Sequence, residues 1–371
     1  MSLDPSLVST SSPSIIEARR QLEICNACRY CEGYCSVFPA MMRDAVHGVA
    51  ELTHLANLCH NCRGCHYSCQ YAAPHAFALN LPAALAEVRQ ASWERHLRPA
   101  ILVKIFQEGW TATVVTMLAA TAALYAAASL RGADASAPFY DKLPHTWMVA
   151  FFLPAVVLPI VAVAAGLRSY WRETCGDRMA LSAVMAATRS VARMTNLACG
   201  HGEGCNYEKG DRYSNARRFA HQAVLVGFLL CFLATASATV MHYLFQWPAP
   251  YGFGSPPKIL GVTGGVLLVL GSAAMILLKR RADPDLGSRR VLRGEYAFIC
   301  LVGLTALSGS ALTFASGTDP SKALLAFHLG CVATLFLTLP FTKMVHGAFR
   351  LATLIIEAQK AHPKDDQGGS S

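Results

Sequence analysis

Eight of the fourteen cysteines in this 371-residue chain fall into two runs of one spacing. Cys25, Cys28, Cys31 and Cys35 form a C-x2-C-x2-C-x3-C run, and Cys59, Cys62, Cys65 and Cys69 repeat it. This is the ligand pattern of paired iron–sulfur clusters, in which the fourth cysteine of each run serves the other cluster. Three closely spaced thiolates can wrap three corners of a cubane, and the fourth corner is reached more easily from elsewhere in the chain. The spacing therefore predicts two [4Fe–4S] clusters. One takes Cys25, Cys28, Cys31 and Cys69, and the other Cys59, Cys62, Cys65 and Cys35. Structural zinc prefers pairs of ligands separated by a longer gap, so it fits two quartets poorly. Disulfides fit poorly in a cytosolic domain. Proline often follows the last cysteine of such runs; here Ser36 and Gln70 do, with Pro39 and Pro74 a few residues on.

Helices must position these thiols. Residues 15–24 read as a short helix leading into the first quartet. Residues 40–58 place Met41, Ala45, Val49, Leu52, Leu55 and Leu58 at helical spacing, and residues 76–96 are helical again. The expectation is an α-helical ferredoxin-like domain over residues 15–100, without the alternating strands of small bacterial ferredoxins. Residues 1–14 are polar and Ser/Pro-rich, with no apolar signal segment, and read as a disordered tail. His47, His54, His60, His66 and His75 read mostly as surface residues or as hydrogen-bonding groups near the clusters.

Composition points to a second, different part. Hydrophobic residues make up 53% and charged residues 15%, which favours a membrane domain over a larger soluble core. The formal charge of +9 does not imply nucleic acid, because the basic residues sit beside apolar spans, where they set topology. Six stretches have membrane-spanning length: about 109–130, 146–167, 219–246, 259–279, 295–316 and 323–347. Pro154 and Pro159 interrupt the second. Arginines and lysines concentrate in the loops 168–218 and 279–294 and are few in the opposite loops. The positive-inside rule then puts both termini and the cluster domain in the cytoplasm of an inner-membrane, multi-pass protein. Residues 101–350 form the membrane domain and 351–371 a cytoplasmic tail. The fold class expected is all-α, a di-cluster domain followed by a six-helix cytochrome b-like bundle.

Histidines on two spans supply the second chemistry. His221 and His242 lie on the third, His328 and His346 on the sixth. Ionisable groups inside spans are functional by default. His328 and His346, 18 residues apart, share a face about 27 Å apart if the helix is continuous; His221 and His242, 21 apart, are separated by about 31 Å. With the third span running outward and the sixth inward, His221 meets His346 at the inner end and His242 meets His328 at the outer end. Two facing imidazoles are what a six-coordinate haem b requires, so one or two haems are expected. Gly227, Ala234 and Ala236 on one helix, and Gly330 and Ala333 on the other, would leave room for the macrocycle. His145 reads as an outer-loop residue. Cys231, Cys300 and Cys331 read as small apolar residues. Cys175 lies in the long loop, where Cys199, His201 and Cys205 match no standard metal spacing and read as part of an ordered, glycine-rich loop. Residues 179–198 form an amphipathic stretch suited to a membrane surface.

The paired quartets, the Gly204-Cys205-Asn206-Tyr207 loop, Arg217-Arg218-Phe219-Ala220-His221 and the His328/His346 segment together resemble the tricarballylate utilisation protein B (CitB-like) family over nearly the whole chain. The resemblance implies an electron carrier with quinone reductase activity. It would reoxidise the FADH2 of a partner flavoprotein, a tricarballylate dehydrogenase, and pass electrons through iron–sulfur clusters and haem b to the quinone pool. The chain has no G-x-G-x-x-G turn after a strand and no phosphate-binding loop, so the flavin belongs to the FAD-dependent partner. The alternatives are a subunit of another flavin or heterodisulfide-type redox complex, and a non-enzymatic iron–sulfur redox sensor.

Overall fold

The computed structural model describes residues 12–43, 48–130, 143–176, 178–199, 202–208, 210–247, 249–315 and 321–361. Among them every regular element is helical, apart from one isolated bridge between Cys205 and Ser214. The all-α expectation holds for these residues.

The first part is built from five helices: α1 (Pro13–Cys28), α2 (Val37–Met41), α3 (Val49–Leu58), α4 (Gly64–Tyr67) and α5 (Leu81–His96). Helix α1 begins earlier than the sequence suggests, because Pro13 sits at its first turn, where the missing N–H costs nothing. It runs through Cys25 and Cys28 and stops at Arg29, whose φ of 56° is left-handed. The helix read over 40–58 is instead α2 and α3, with residues 44–47, including His47, outside the described residues. Helix α5 starts at residue 81 rather than 76, where Asn80 accepts a bond from the Ala83 N–H (3.3 Å) and Pro82 fixes the first turn.

Next come α6 (Ala100–Glu108), then α7 (Thr111–Leu130), α8 (His145–Thr174), α9 (Leu181–Arg193), α10 (Ala216–Tyr243), α11 (Pro256–Arg281), α12 (Leu292–Phe314), α13 (Ser321–Leu337) and α14 (His346–Ala361). Five of these, α7, α8, α10, α11 and α12, are long and apolar enough to cross a membrane. The sixth expected span is broken. Helix α13 has 17 residues, about 26 Å at 1.5 Å per residue, against an apolar core of about 30 Å. Two 3-10 turns follow, Leu339–Phe341 and Lys343–Val345, around an extended Thr342. Pro340 cannot donate to the preceding turn, which ends the helix. His328 and His346 therefore lie on different helices and share no continuous face.

Helix α14 is not a free tail. Its Leu354 and Ile355 join Leu22, Met41, Leu52, Leu55, Leu85 and Val88 in the core of the cysteine-bearing part. Ala183 and Ala187 of the amphipathic α9 enter the same core, so α9 packs on α14 by its small-residue face and leaves Leu181 and Met185 exposed. Trp93, Tyr170, Phe349 and Ile356 tie α5, α8 and α14 together in a second core. Residues 362–371 lie outside the described residues.

In the membrane part α10 packs along α11, α11 on α12, α12 on α13, and α13 on α7 and α8. The α10–α11 contact is at backbone distance: a Cβ at Gly227 would stand 2.8 Å from the Gly264 carbonyl oxygen. Gly330 is likewise filled, since a Cβ there would stand 2.9 Å from the Thr121 backbone. These glycines serve helix packing, as small residues do in membranes, and do not leave space beside the histidines for a macrocycle.

Candidate redox site between the cysteine quartets and the membrane helices

The end of α1 and the turn after it carry Cys25, Cys28, Cys31 and Cys35; the turn before α4, α4 itself and the turn after it carry the other four. The chain crosses the fourth cysteine of each run over. Burial, and then the neighbouring Cys69, Cys31 and Cys28, push the Cys25 thiol up to about 12. Burial, then Cys69 and Cys28, do the same for Cys31. Cys35 is raised well above the usual range by burial and by Cys62 and Cys59, and Cys65 by burial, Cys62, Cys35 and Cys59. Thiolates so crowded need cations among them, and metal binding supplies these while releasing the protons. Among the described residues no three Cys, His, Asp or Glu side chains close on a single-ion site; Cys25, Cys28, Cys31 and Cys69, with Cys65, instead line a small cavity shared with Phe38 and Tyr71.

The quartets differ in cover. Around the first, Tyr30 is 66% exposed and residues 73–78 are all exposed. Over the second lies the loop 194–215. Its Cys199 sulfur is 3.9 Å from that of Cys62. Tyr207 is held by Arg63, which donates to its carbonyl at 3.4 Å, and the Arg63 and Arg217 guanidinium groups lie 4.7 and 4.1 Å from its ring centre. Gly204, at φ +100°, makes the bend; a Cβ there would stand 2.2 Å from the Ser214 carbonyl oxygen. The loop's cysteine spacing predicts only an ordered segment, and its role as a cover emerges from its contacts. His201 lies outside the described residues.

Behind the second quartet a cavity of about 500 Å³ opens, within the range of about 300–1,000 Å³ usual for small-molecule sites. Cys59 and His60 line it, together with His221 and His346. The latter rings stand 5.8 Å apart between centres, at 82°. Two trans imidazoles with metal–nitrogen bonds of about 2 Å would place their centres about 6 Å apart. His346 Nδ1 bonds the Lys343 carbonyl, which only accepts, so Nδ1 carries the proton and Nε2 keeps its lone pair. That is the arrangement of a metal-ligating histidine. His221 Nδ1 is buried without a hydrogen bond. The donor set thus fits a haem iron.

The other histidines divide between the roles expected of them and a correction at the outer end. His60 lies in the cavity wall with Nδ1 donating to the Leu58 carbonyl (2.8 Å), and burial, then Arg350 and Arg217, hold it well below its usual pKa. His54 is buried, 2.7 Å from Glu357, which also pairs with Arg43. His66 and His75 stack edge-on against Tyr67 and Tyr71. At the outer end His242 does not meet His328. His242 stacks on His145, 4.7 Å between centres at 16°, whereas His328 bonds the Ser308 hydroxyl at 3.1 Å. The reason is packing: α10 runs along α11 while α13 runs along α7, α8 and α12. His145, the first residue of α8, was signalled only by its place after Pro144 at a span's start.

The cavity wall is rich in cations. Glu295 serves both Lys279 and Lys343. Arg89 and Arg350 both donate to the Cys59 carbonyl, at 2.9 and 2.5 Å, and Arg217 donates to that of Asn61 at 2.8 Å. Burial, and then Arg89, push the Arg350 guanidinium down to about 9.

Comparison with known proteins agrees with this two-part layout. Residues 18–95 match the Fer4-like domain model of Citrate utilization protein B, and residues 100–366 match the model of Citrate utilization protein B itself. The Citrate utilization protein B of Escherichia coli is 39% identical over 344 residues, covering 91% of this chain and 90% of the relative. No solved structure matches. A Fer4-like domain suggests iron–sulfur binding, and with five apolar helices it makes membrane-associated electron transfer the general activity. The chain belongs to the Citrate utilization protein B family.

Proposed function

We propose that this chain takes electrons from a partner flavoprotein dehydrogenase at its cytoplasmic face and delivers them to quinone in the inner membrane. Cys25, Cys28, Cys31 and Cys69 would hold one [4Fe–4S] cluster, and Cys59, Cys62, Cys65 and Cys35 the other. His221 and His346 would hold the iron of haem b. Such groups supply one-electron centres between a two-electron flavin and a two-electron quinone. The relative's name points to citrate, and the family resemblance to tricarballylate, so the partner's substrate is a tricarboxylate of that class.

One observation carries this reading: a single cavity is lined both by Cys59 of the second quartet and by the His221–His346 pair. The protein's share is to hold the thiolates, to fix the His346 tautomer through the Lys343 carbonyl, and to cover the second quartet with the 194–215 loop. The basic segments support the orientation, since Arg217 and Arg290 bond Asn61 and Glu94 on the quartet side. At the outer end the His242 and His145 rings stack face to face at 4.7 Å, too close for an iron between them, so the reading is one haem per chain.

The test is a metal, sulfide and haem count on anaerobically purified protein, followed by redox cycling. Two quartets call for about eight cluster irons, with haem bands that quinone reoxidises after reduction. His346→Ala removes the haem and leaves the clusters. Zinc in the quartets and no porphyrin absorbance would overturn the reading; clusters without haem would favour a redox sensor.

A further inference from the structure

The cavity between the second quartet and the inner histidines holds a charge imbalance that the protein does not resolve by itself. Arg89, Arg217 and Arg350 line it. Their protein acceptors are peptide carbonyls of residues 56–61: Ala56 and Cys59 for Arg89, Asn61 for Arg217, Asn57 and Cys59 for Arg350. Of the two acids in the wall, Glu295 is taken by Lys279 and Lys343 and Asp283 accepts from the Asp285 N–H. Among the described residues no carboxylate pairs with any of the three arginines. Charge buried without a counter-ion costs several kcal/mol per group, and carbonyl dipoles offset only part of it. A guanidinium has five donors; the carbonyls named occupy only part of each set, and Arg217 Nε is buried with no hydrogen-bond partner.

Their placement relative to the histidines is regular. Arg217 precedes His221 by four residues on α10, and Arg350 follows His346 by four on α14. Residues four apart lie on one helix face, about 6 Å apart along the axis. Both arginines lie on the Cys59 side of their histidine, because both bond the 57–61 segment. Two opposed helices thus each present an imidazole and, one turn nearer the quartet, a guanidinium.

We propose that Arg217 and Arg350, with Arg89 behind them, form a two-carboxylate site, and that it holds the propionate edge of the haem carried by His221 and His346. This rests on the haem assignment above. Planar guanidinium forks match carboxylates in bidentate fashion, and two of them flanking one imidazole pair suit two carboxylates on one rigid edge. The site also fixes direction: the charged edge of the haem faces Cys59. A lipid phosphate is the rival anion, since the cavity lies near the membrane surface.

The experiment compares full-length wild type with Arg217→Gln, Arg350→Gln, Arg350→Lys and His346→Ala, all purified anaerobically and scored for cluster iron, haem and haem midpoint potential. Loss of a positive charge beside the propionates disfavours the reduced haem. Each glutamine variant is expected to keep its clusters and to shift the haem equilibrium toward the oxidised form by about tenfold, which is about 59 mV for one electron. Arg350→Lys recovers most of that shift. Haem loss with clusters retained in a glutamine variant supports the site as well. Where a glutamine variant does not assemble, Arg350→Lys decides: a potential shifted less than threefold with haem retained supports the site, and haem lost from it with clusters intact supports the need for the bidentate fork. Unchanged haem content and potential in both glutamine variants overturn the proposal, and an anionic phospholipid lost from them at the same time assigns the site to lipid. Wild type without haem, or His346→Ala with an unchanged haem spectrum, would instead overturn the ligand assignment on which the proposal stands.

Discussion

The two cysteine quartets share one spacing and sit in opposite surroundings. The first is ringed by exposed residues, with Tyr30 and Phe77 66% and 44% exposed. The second is sealed: Cys62, Arg63, Cys199 and Tyr207 are each less than 9% exposed, and Cys205 and Asn206 almost not at all. In the proposed function the open quartet is the side that receives the flavoprotein, while Cys59 of the other lines the histidine cavity. Identical ligand chemistry thus acquires direction from its cover, which comes from distant sequence, the 194–215 loop and helix α14.

Removing one ligand on each side is the severest test of that asymmetry. Cys62→Ser is expected to lower cluster iron from about eight to about four per chain and to slow reduction of the haem by the flavoprotein at least 100-fold. Cys28→Ser is expected to block reduction by the flavoprotein as strongly, yet to leave reduction of the second cluster by quinol intact. Stopped-flow spectra with donor at either end distinguish the two; equal defects from both ends would erase the difference between the quartets. A smaller effect is expected at the open face. Tyr30→Glu removes an exposed aromatic anchor, an effect of about 1 kcal/mol in interfaces, so the flavoprotein's apparent KM rises about fivefold with kcat held. The sealed face gives a smaller change still. The Cys199 thiol beside Cys62 is a weak donor, and hydrogen bonds to cluster sulfurs raise potentials. Cys199→Ala is expected to lower the second cluster's potential by less than about 59 mV, a tenfold shift in the equilibrium, and to leave the first unchanged in a titration followed by electron paramagnetic resonance.

Much of this was legible in the chain because ligand spacing is local. Eight cysteines carry their own pattern, and the apolar spans carry theirs. The approach of His221 to His346 was also legible, since it depends only on which membrane face each approaches. The outer pairing required a continuous helix from His328 to His346 and knowledge of which helices are neighbours. Pro340 was in view and breaks that helix. Gly227 and Gly330 looked like room for a cofactor because a glycine gives no sign of what fills its space; the filling is a neighbouring backbone. The Arg217/His221 and His346/Arg350 spacings were present in the sequence, but arginines near a span read first as topology signals. Only the carbonyls they bond, 156 and 291–293 residues away, show them turned inward.

The joint between the two parts offers the mildest test. His96, at the end of α5, meets α8 through Ser169 (3.0 Å) and stands edge-on to Tyr170. Burial, then the charges of Arg95 and Arg98, push it down to about 4 from an ordinary 6.5. A histidine whose folded pKa is depressed takes up its proton in the unfolded chain first. Its contribution is therefore complete above about pH 6.5 and is lost as pH falls toward 4. Glu173 faces it from α8 at 3.3 Å and pairs with Arg95. Burial pushes that carboxyl up, so the folded chain takes up its proton first, already above about pH 4.5, which favours the joint and offsets part of the loss. Over the window pH 6.5 to 4.5 the histidine outweighs it, and the joint is expected to weaken by on the order of 1 kcal/mol. In thermal unfolding of the detergent-solubilised holoprotein, wild type loses stability across that window, and His96→Gln, which cannot titrate, follows a flatter curve. Parallel curves would mean that α5 and α8 are joined without this histidine, leaving Trp93, Tyr170 and Phe349 to couple the sealed quartet's scaffold to the membrane helices by packing alone.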